Sequence, residues 1–152
     1  STGERLKAHL AQLRAQPQVD AARVGAMGYC LGGALSLHAA RIGLDLKGVV
    51  SFHGALSRTH QPKPGDVKAE ILVCHGADDV LVPEEDQKTF HADMKAAGAK
   101  YHFIAYPGAK HGFTNPEATA KGEKFGLPLA YDESVDRQSW QAMKDFWARV
   151  FA

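Results

Sequence analysis

Four short apolar runs limit what this chain can fold into. Arg23 to Tyr29, Lys47 to His53, Ala69 to His75 and Tyr101 to Tyr106 each carry a short apolar stretch, such as Val24, Ala26, Met27 and Tyr29 in the first and Ile71-Leu72-Val73-Cys74 in the third. Runs of that kind, without polar alternation, mark strands covered on both faces, as in a parallel sheet. The segments between them have a helical period. Leu6, Leu10 and Leu13 share one helix face, and Pro17 closes that segment. Leu31 to Ile42 has no breaker and is followed by Gly43, a residue suited to the end of a helix. Pro83 opens a helix with Glu84, Glu85 and Asp86 against the positive dipole end. Its core face is Phe90, Met94 and Ala97, and Gly98 stops it. A last helix, Asp132 to Phe151, gathers Val135, Met143, Phe146, Trp147 and Val150 on one broad face. Leu56 to Val67 and Pro116 to Pro128 read as irregular. The alternation predicts an α/β fold, about four parallel strands flanked by helices, in a single domain spanning 1–152.

Composition removes whole classes of function. The 18 Lys+Arg and 17 Asp+Glu leave a net charge of +1, which gives no electrostatic case for nucleic acid or an anionic membrane surface. Seven Phe, four Tyr and two Trp with only 23% charged residues exclude intrinsic disorder. No apolar run approaches the roughly 18 residues of a membrane span, so a soluble chain is expected. Two cysteines are too few for a disulfide framework or a cysteine-based zinc site. Ser1 to Leu6 resembles neither a signal nor a transit peptide, and the expected location is the cytoplasm.

The stretch Gly28-Tyr29-Cys30-Leu31-Gly32-Gly33 sits where the first strand meets the second helix. It has the G-x-S-x-G form of a nucleophile elbow, with cysteine in place of serine. In so tight a turn a Cβ at Gly28 or Gly32 is expected to clash. The turn would lift Cys30 above the sheet at a helix N-terminus, where the positive end favours a thiolate. The backbone N–H of Leu31 would be one oxyanion donor. Two plainer readings stand beside this one: a packed cysteine among glycines, or a phosphate loop, although neither phosphate-loop spacing is present. Cys74, in mid-strand, reads as core.

A nucleophile needs a base and an orienting carboxylate, and parallel sheets project such groups from loops at their carboxyl ends. The third strand is followed by Asp78-Asp79 and the fourth by Lys110-His111-Gly112-Phe113. Either aspartate fits, and one of them is expected only to form the turn. The chain order Cys30, Asp, His111 is the order of α/β-hydrolases. The other histidines lack paired metal spacing. His53 ends the second strand and is a candidate pocket residue.

Together, Gly28 to Gly33, the G-A-D-D-V-L-V-P run from Gly76 to Pro83 and the H-G-F-T-N-P run from His111 to Pro116 resemble the dienelactone hydrolase family. The closing Asp136-Arg137-Gln138-Ser139-Trp140 helix is similar too. The resemblance implies a three-layer α/β-hydrolase fold, here its C-terminal half. It also implies hydrolysis of a small ester or lactone through a Cys-His-Asp triad with a thioester acyl-enzyme and no cofactor. It selects Asp79, which stands four residues before the proline. Tyr29, His53, Phe113 and Asn115 become candidate substrate contacts. Asn115 stands where dienelactone hydrolases themselves place a carboxylate-binding arginine. On the order of 90 residues precede the elbow in the family but not here. With them go the second oxyanion N–H and a glutamate beside the thiol. The chain is therefore expected to be N-terminally truncated and to associate with the missing segment or with another copy. A non-catalytic α/β module, or a fragment that complements another chain, is the competing reading.

Overall fold

A computed structural model describes residues 1–152. The chain runs α1 (Thr2–Arg14), β1 (Gly25–Tyr29), α2 (Leu31–Arg41), β2 (Gly48–Phe52), β3 (Glu70–Gly76), α3 (Glu84–Ala96), β4 (Tyr101–Tyr106), α4 (Ala118–Phe125) and α5 (Glu133–Val150). The four strands are all parallel and lie in the order β1-β2-β3-β4. Alternate side chains divide the core into two layers, as the two-residue period of a strand requires. Val49, Ile71 and Val73 face α2 and α3, meeting Leu37, Phe90 and Met94. Val50, Phe52, Leu72 and Cys74 face α5, meeting Val135, Met143 and Phe146. The four strand runs thus sit where the sequence puts them, within the one or two residues by which element ends vary. No helix is long and apolar enough to cross a membrane.

The helix α5 lies close over β1 and β2 because those strands start with glycine. A Cβ on Gly25 would come within 2.4 Å of the Trp147 ring, and one on Gly48 within 2.8 Å of Phe146. β1 is an open edge. Lys47 N–H donates to the Val24 carbonyl and Cys30 N–H to the Phe52 carbonyl, so this parity of β1 faces β2. The backbone of Gly25, Met27 and Tyr29 then points away from the sheet. The side chains of Met27 and Tyr29 are 40% and 41% exposed.

The span Pro116 to Pro128, expected to be irregular, contains α4. Its apparent breakers are caps. Asn115 Oδ1 accepts the Glu117 N–H at 3.0 Å, just before the helix. Gly126 ends it in the left-handed conformation, φ 64°. Gly122 is interior because the returning chain passes there: its Cβ would lie 2.6 Å from the Leu129 carbonyl oxygen.

Glu70, at the start of β3, ties α5 to the start of β4. Its carboxylate meets Arg149 of α5 at 2.6 Å, His102 of β4 at 2.8 Å and Lys100 at 3.6 Å, with its side chain 12% exposed. Burial alone would raise this carboxyl, but hydrogen bonds from His102 and Arg149 outweigh it and hold the group below its ordinary value. A depressed carboxyl contributes stability above its unfolded value near pH 4.3, and that contribution is lost as pH falls through the folded value. Glu70→Gln should cost about 1–3 kcal/mol at pH 7 in denaturant melts. The gap from wild type should close as the pH is lowered below about 4.

Candidate active site

The strand-to-helix turn forms as the glycine pattern predicts, with one correction. A Cβ on Gly28 would lie 2.2 Å from the Gly32 carbonyl carbon and 2.3 Å from its oxygen, so strand and helix backbones touch there. A Cβ on Gly32 itself would meet nothing within 4 Å. The clash is one-sided: Gly32 supplies the backbone that Gly28 must avoid. Cys30 takes φ 53° and ψ −115° at the N-cap position of α2. A non-glycine residue held there costs on the order of 1–3 kcal/mol, which the surrounding packing sustains. Cys30 N–H to the Phe52 carbonyl, 3.0 Å, and Ala34 N–H to the Cys30 carbonyl, 3.1 Å, hold it in place. The thiol is exposed, whereas Cys74 is buried on β3 and burial pushes its thiol up to about 12.

Two other loops converge on that sulfur. His111, after β4, places Nε2 3.1 Å from Cys30 Sγ. Its Nδ1 lies 2.8 Å from Asp79 Oδ2, and the Asp79 side chain is fully buried. The second oxygen, Asp79 Oδ1, accepts the Leu81 N–H at 3.0 Å, so both carboxylate oxygens are engaged. Asp78, by contrast, is exposed and contributes its backbone N–H to the Ala109 carbonyl at 2.9 Å, the turn-forming role. The His111 loop is fixed in turn by Ala130 N–H to the His111 carbonyl and Asp132 N–H to the Phe113 carbonyl. His111 is pushed up to about 9, first by its hydrogen bond to Asp79, against burial, with Cys30 adding to the rise. At neutral pH its charged form is therefore favoured.

A cavity of about 680 Å³ opens beside the sulfur, lined among others by Tyr29, Cys30, His53, His111 and Asn115. Phe113 is not in its wall: it is fully buried, against Tyr106 and His53. Leu31, 70% exposed, opens α2 directly after Cys30. Leu81, Thr114, Lys121 and Asp136 also line the cavity, and the sequence did not single them out. Lys121 stands on the unforeseen α4. Arg58 forms a two-point contact with Asp93 at 2.8 and 2.6 Å, and Lys110 is absent from the lining. No group of three or more His, Cys, Asp or Glu is arranged to hold a metal.

An exposed sulfur at an elbow, a histidine and a buried aspartate at successive strand ends of a parallel sheet place the chain among the α/β-hydrolases. The sequence pattern of the dienelactone hydrolase family matches residues 2–151, and the chain belongs to that family. An uncharacterized protein of Caenorhabditis elegans is 35% identical, over 97% of this chain and 93% of its own length. A Salmonella typhimurium protein named as a candidate carboxymethylenebutenolidase is 27% identical, over 93% of this chain but only 52% of its own length. Among solved structures, a dienelactone hydrolase-like promiscuous phosphotriesterase from metagenomic libraries superposes with a TM-score of 0.84 at 35% identity. That match covers 98% of this chain and 61% of the other. The chain thus spans about half to two thirds of these longer relatives.

Gly28→Ala tests the elbow. Because backbone, rather than a mobile side chain, blocks the added methyl, the substitution should cost about 1–3 kcal/mol in a thermal or chemical melt. Gly32→Ala, with open space around it, should stay within about 1 kcal/mol of wild type.

Proposed function

We propose that this chain is the part of a hydrolase that cleaves carboxylic esters or lactones, with Cys30 as nucleophile, His111 as acid and base, and Asp79 as its orienting partner. One observation carries the reading: the unbroken contact from Cys30 Sγ through His111 to Asp79, at 3.1 and 2.8 Å, beside the cavity. The sulfur, as thiolate, adds to the ester carbonyl, and the Leu31 N–H faces the developing oxyanion. The tetrahedral intermediate expels the alkoxide, which takes a proton from the His111 imidazolium and leaves a thioester. Neutral His111 then removes a proton from water as its oxygen adds to the thioester. The carboxylic acid departs and the thiolate–imidazolium pair is restored. Asp79 holds the Nδ1–H throughout and stabilises the charged ring. The family and the candidate carboxymethylenebutenolidase name support the reaction class.

Turnover of p-nitrophenyl acetate separates this from a non-catalytic module. Cys30→Ala and His111→Ala should lower kcat at least about 10³-fold, Asp79→Asn about 10²–10⁴-fold, and Asp78→Asn less than about 3-fold. Iodoacetamide should label Cys30 before Cys74. Equal losses from Asp78→Asn and Asp79→Asn, or a wild-type chain matched by Cys30→Ala, would count against the assignment.

We also propose that the β1 edge receives a further strand, from sequence outside this segment or from a second copy. The outward backbone of Gly25, Met27 and Tyr29 and the exposed Met27 and Tyr29 side chains are what such pairing needs. Light scattering of the purified 152-residue chain should return more than the monomer mass. A soluble monomer with a cooperative melt would rule out a second copy as the source of that strand.

A further inference from the structure

Two residues other than glycine have a positive φ, Cys30 at 53° and His53 at 39°, and both line the same cavity. The elbow accounts for Cys30. Nothing in the reaction above uses His53, yet its strain is sustained by the packing around it. The residue is 4% exposed, and its backbone N–H donates to the Cys74 carbonyl at 2.9 Å. The ring stands edge-on to His111, centroids 5.4 Å apart, and edge-on to Phe113 at 5.0 Å. Its Nε2 lies 2.8 Å from Thr114 Oγ1, and its Nδ1 is buried without a partner. Thr114 follows His111 by three residues on the same loop. The contact therefore joins the end of β2, next to the elbow, to the loop that brings the histidine.

The titratable groups facing His53 are Tyr29 on β1, His111 across the ring edge, Asp79 farther off and Cys30 in the shared cavity. Burial, with the His111 charge adding to it, pushes His53 down to about 4. Between about pH 4 and 9 the ring is thus neutral while His111 is charged, and it packs against the imidazolium without competing for its proton.

We propose that His53 is a positioning residue: its hydrogen bond to Thr114 and its edge contact with the His111 ring hold that ring in register with Cys30. The proposal rests on the reading of Cys30 and His111 as the working pair. Thr114→Val keeps the branched shape and removes the hydroxyl, while Thr114→Ser restores it. His53→Asn keeps a residue that tolerates positive φ and removes the ring. Two readouts apply, ester turnover and the NMR titration of the His111 ring, whose midpoint is expected near 9 in the wild type. Thr114→Val should lower kcat about 10-fold or more with KM within about 2-fold, since small misplacements of a reacting group carry costs of that size. It should also move the His111 midpoint at least about half a unit toward the ordinary 6.5. Thr114→Ser should recover both, and His53→Asn should match Thr114→Val. An unmoved midpoint in Thr114→Val and His53→Asn overturns the proposal, whether or not activity falls with the folded fraction. If the wild-type chain cleaves no ester, the activity reading fails alone, because the titration reports the His111 geometry without turnover.

Discussion

The backbone contact between Gly28 and Gly32 governs the geometry above the sheet. Where β1 ends, the chain turns so sharply that the first turn of α2 lies against the strand it has just left, with no room for even a methyl group on Gly28. That closeness forces Cys30 into a conformation that side-chain-bearing residues rarely adopt, and it sets the sulfur at the head of a helix. The parallel sheet supplies the rest. Successive strands end at one rim, so the loops after β3 and β4 bring Asp79 and His111 to that sulfur without any long excursion.

Electrostatics then separates two imidazoles that stand 5.4 Å apart. His111 has a buried carboxylate on one nitrogen and a sulfur on the other, and it rises to about 9. His53 has only a hydroxyl partner and deep burial, and it falls to about 4. Pairs of titratable groups driven apart by their surroundings are the usual means of assigning distinct roles within one site. Here the separation ensures that only one ring of the pair is charged near neutral pH, which avoids like-charge repulsion across the edge contact.

Much of this was legible in the residues, for identifiable reasons. Short apolar runs marked all four strands, although only β2 and β3 are buried along their length while β1 and β4 are half-exposed edges. The elbow was legible because its glycines have a steric task, and His111 because it follows the last strand. The choice between Asp78 and Asp79 was not available from spacing, since adjacent residues point opposite ways and only the folded turn decides which is buried. Helix α4 was hidden because Pro116, Gly126 and Pro128 look like breakers whether they interrupt a helix or bound it. Phe113 resembled a pocket aromatic, but its side chain turns into the α5 layer of the core. Thr114 carried no signal of its own. Its importance depends on His53, sixty-one residues earlier, and such pairing emerges only when the loops meet.

The exposure of Cys30 has a chemical corollary. A sulfur that is open to solvent and held beside a charged imidazole is the kind of site that peroxides oxidise first, to the sulfenic acid. Proteins often rescue that state by condensing it with a neighbouring thiol. Here the second thiol, Cys74, is sealed inside β3 and held protonated by its burial. The sulfenic acid would therefore have to wait for an external thiol or progress to the irreversible sulfinic form. The geometry that opens the sulfur to solvent beside His111 thus makes this chain dependent on the reducing power of its surroundings.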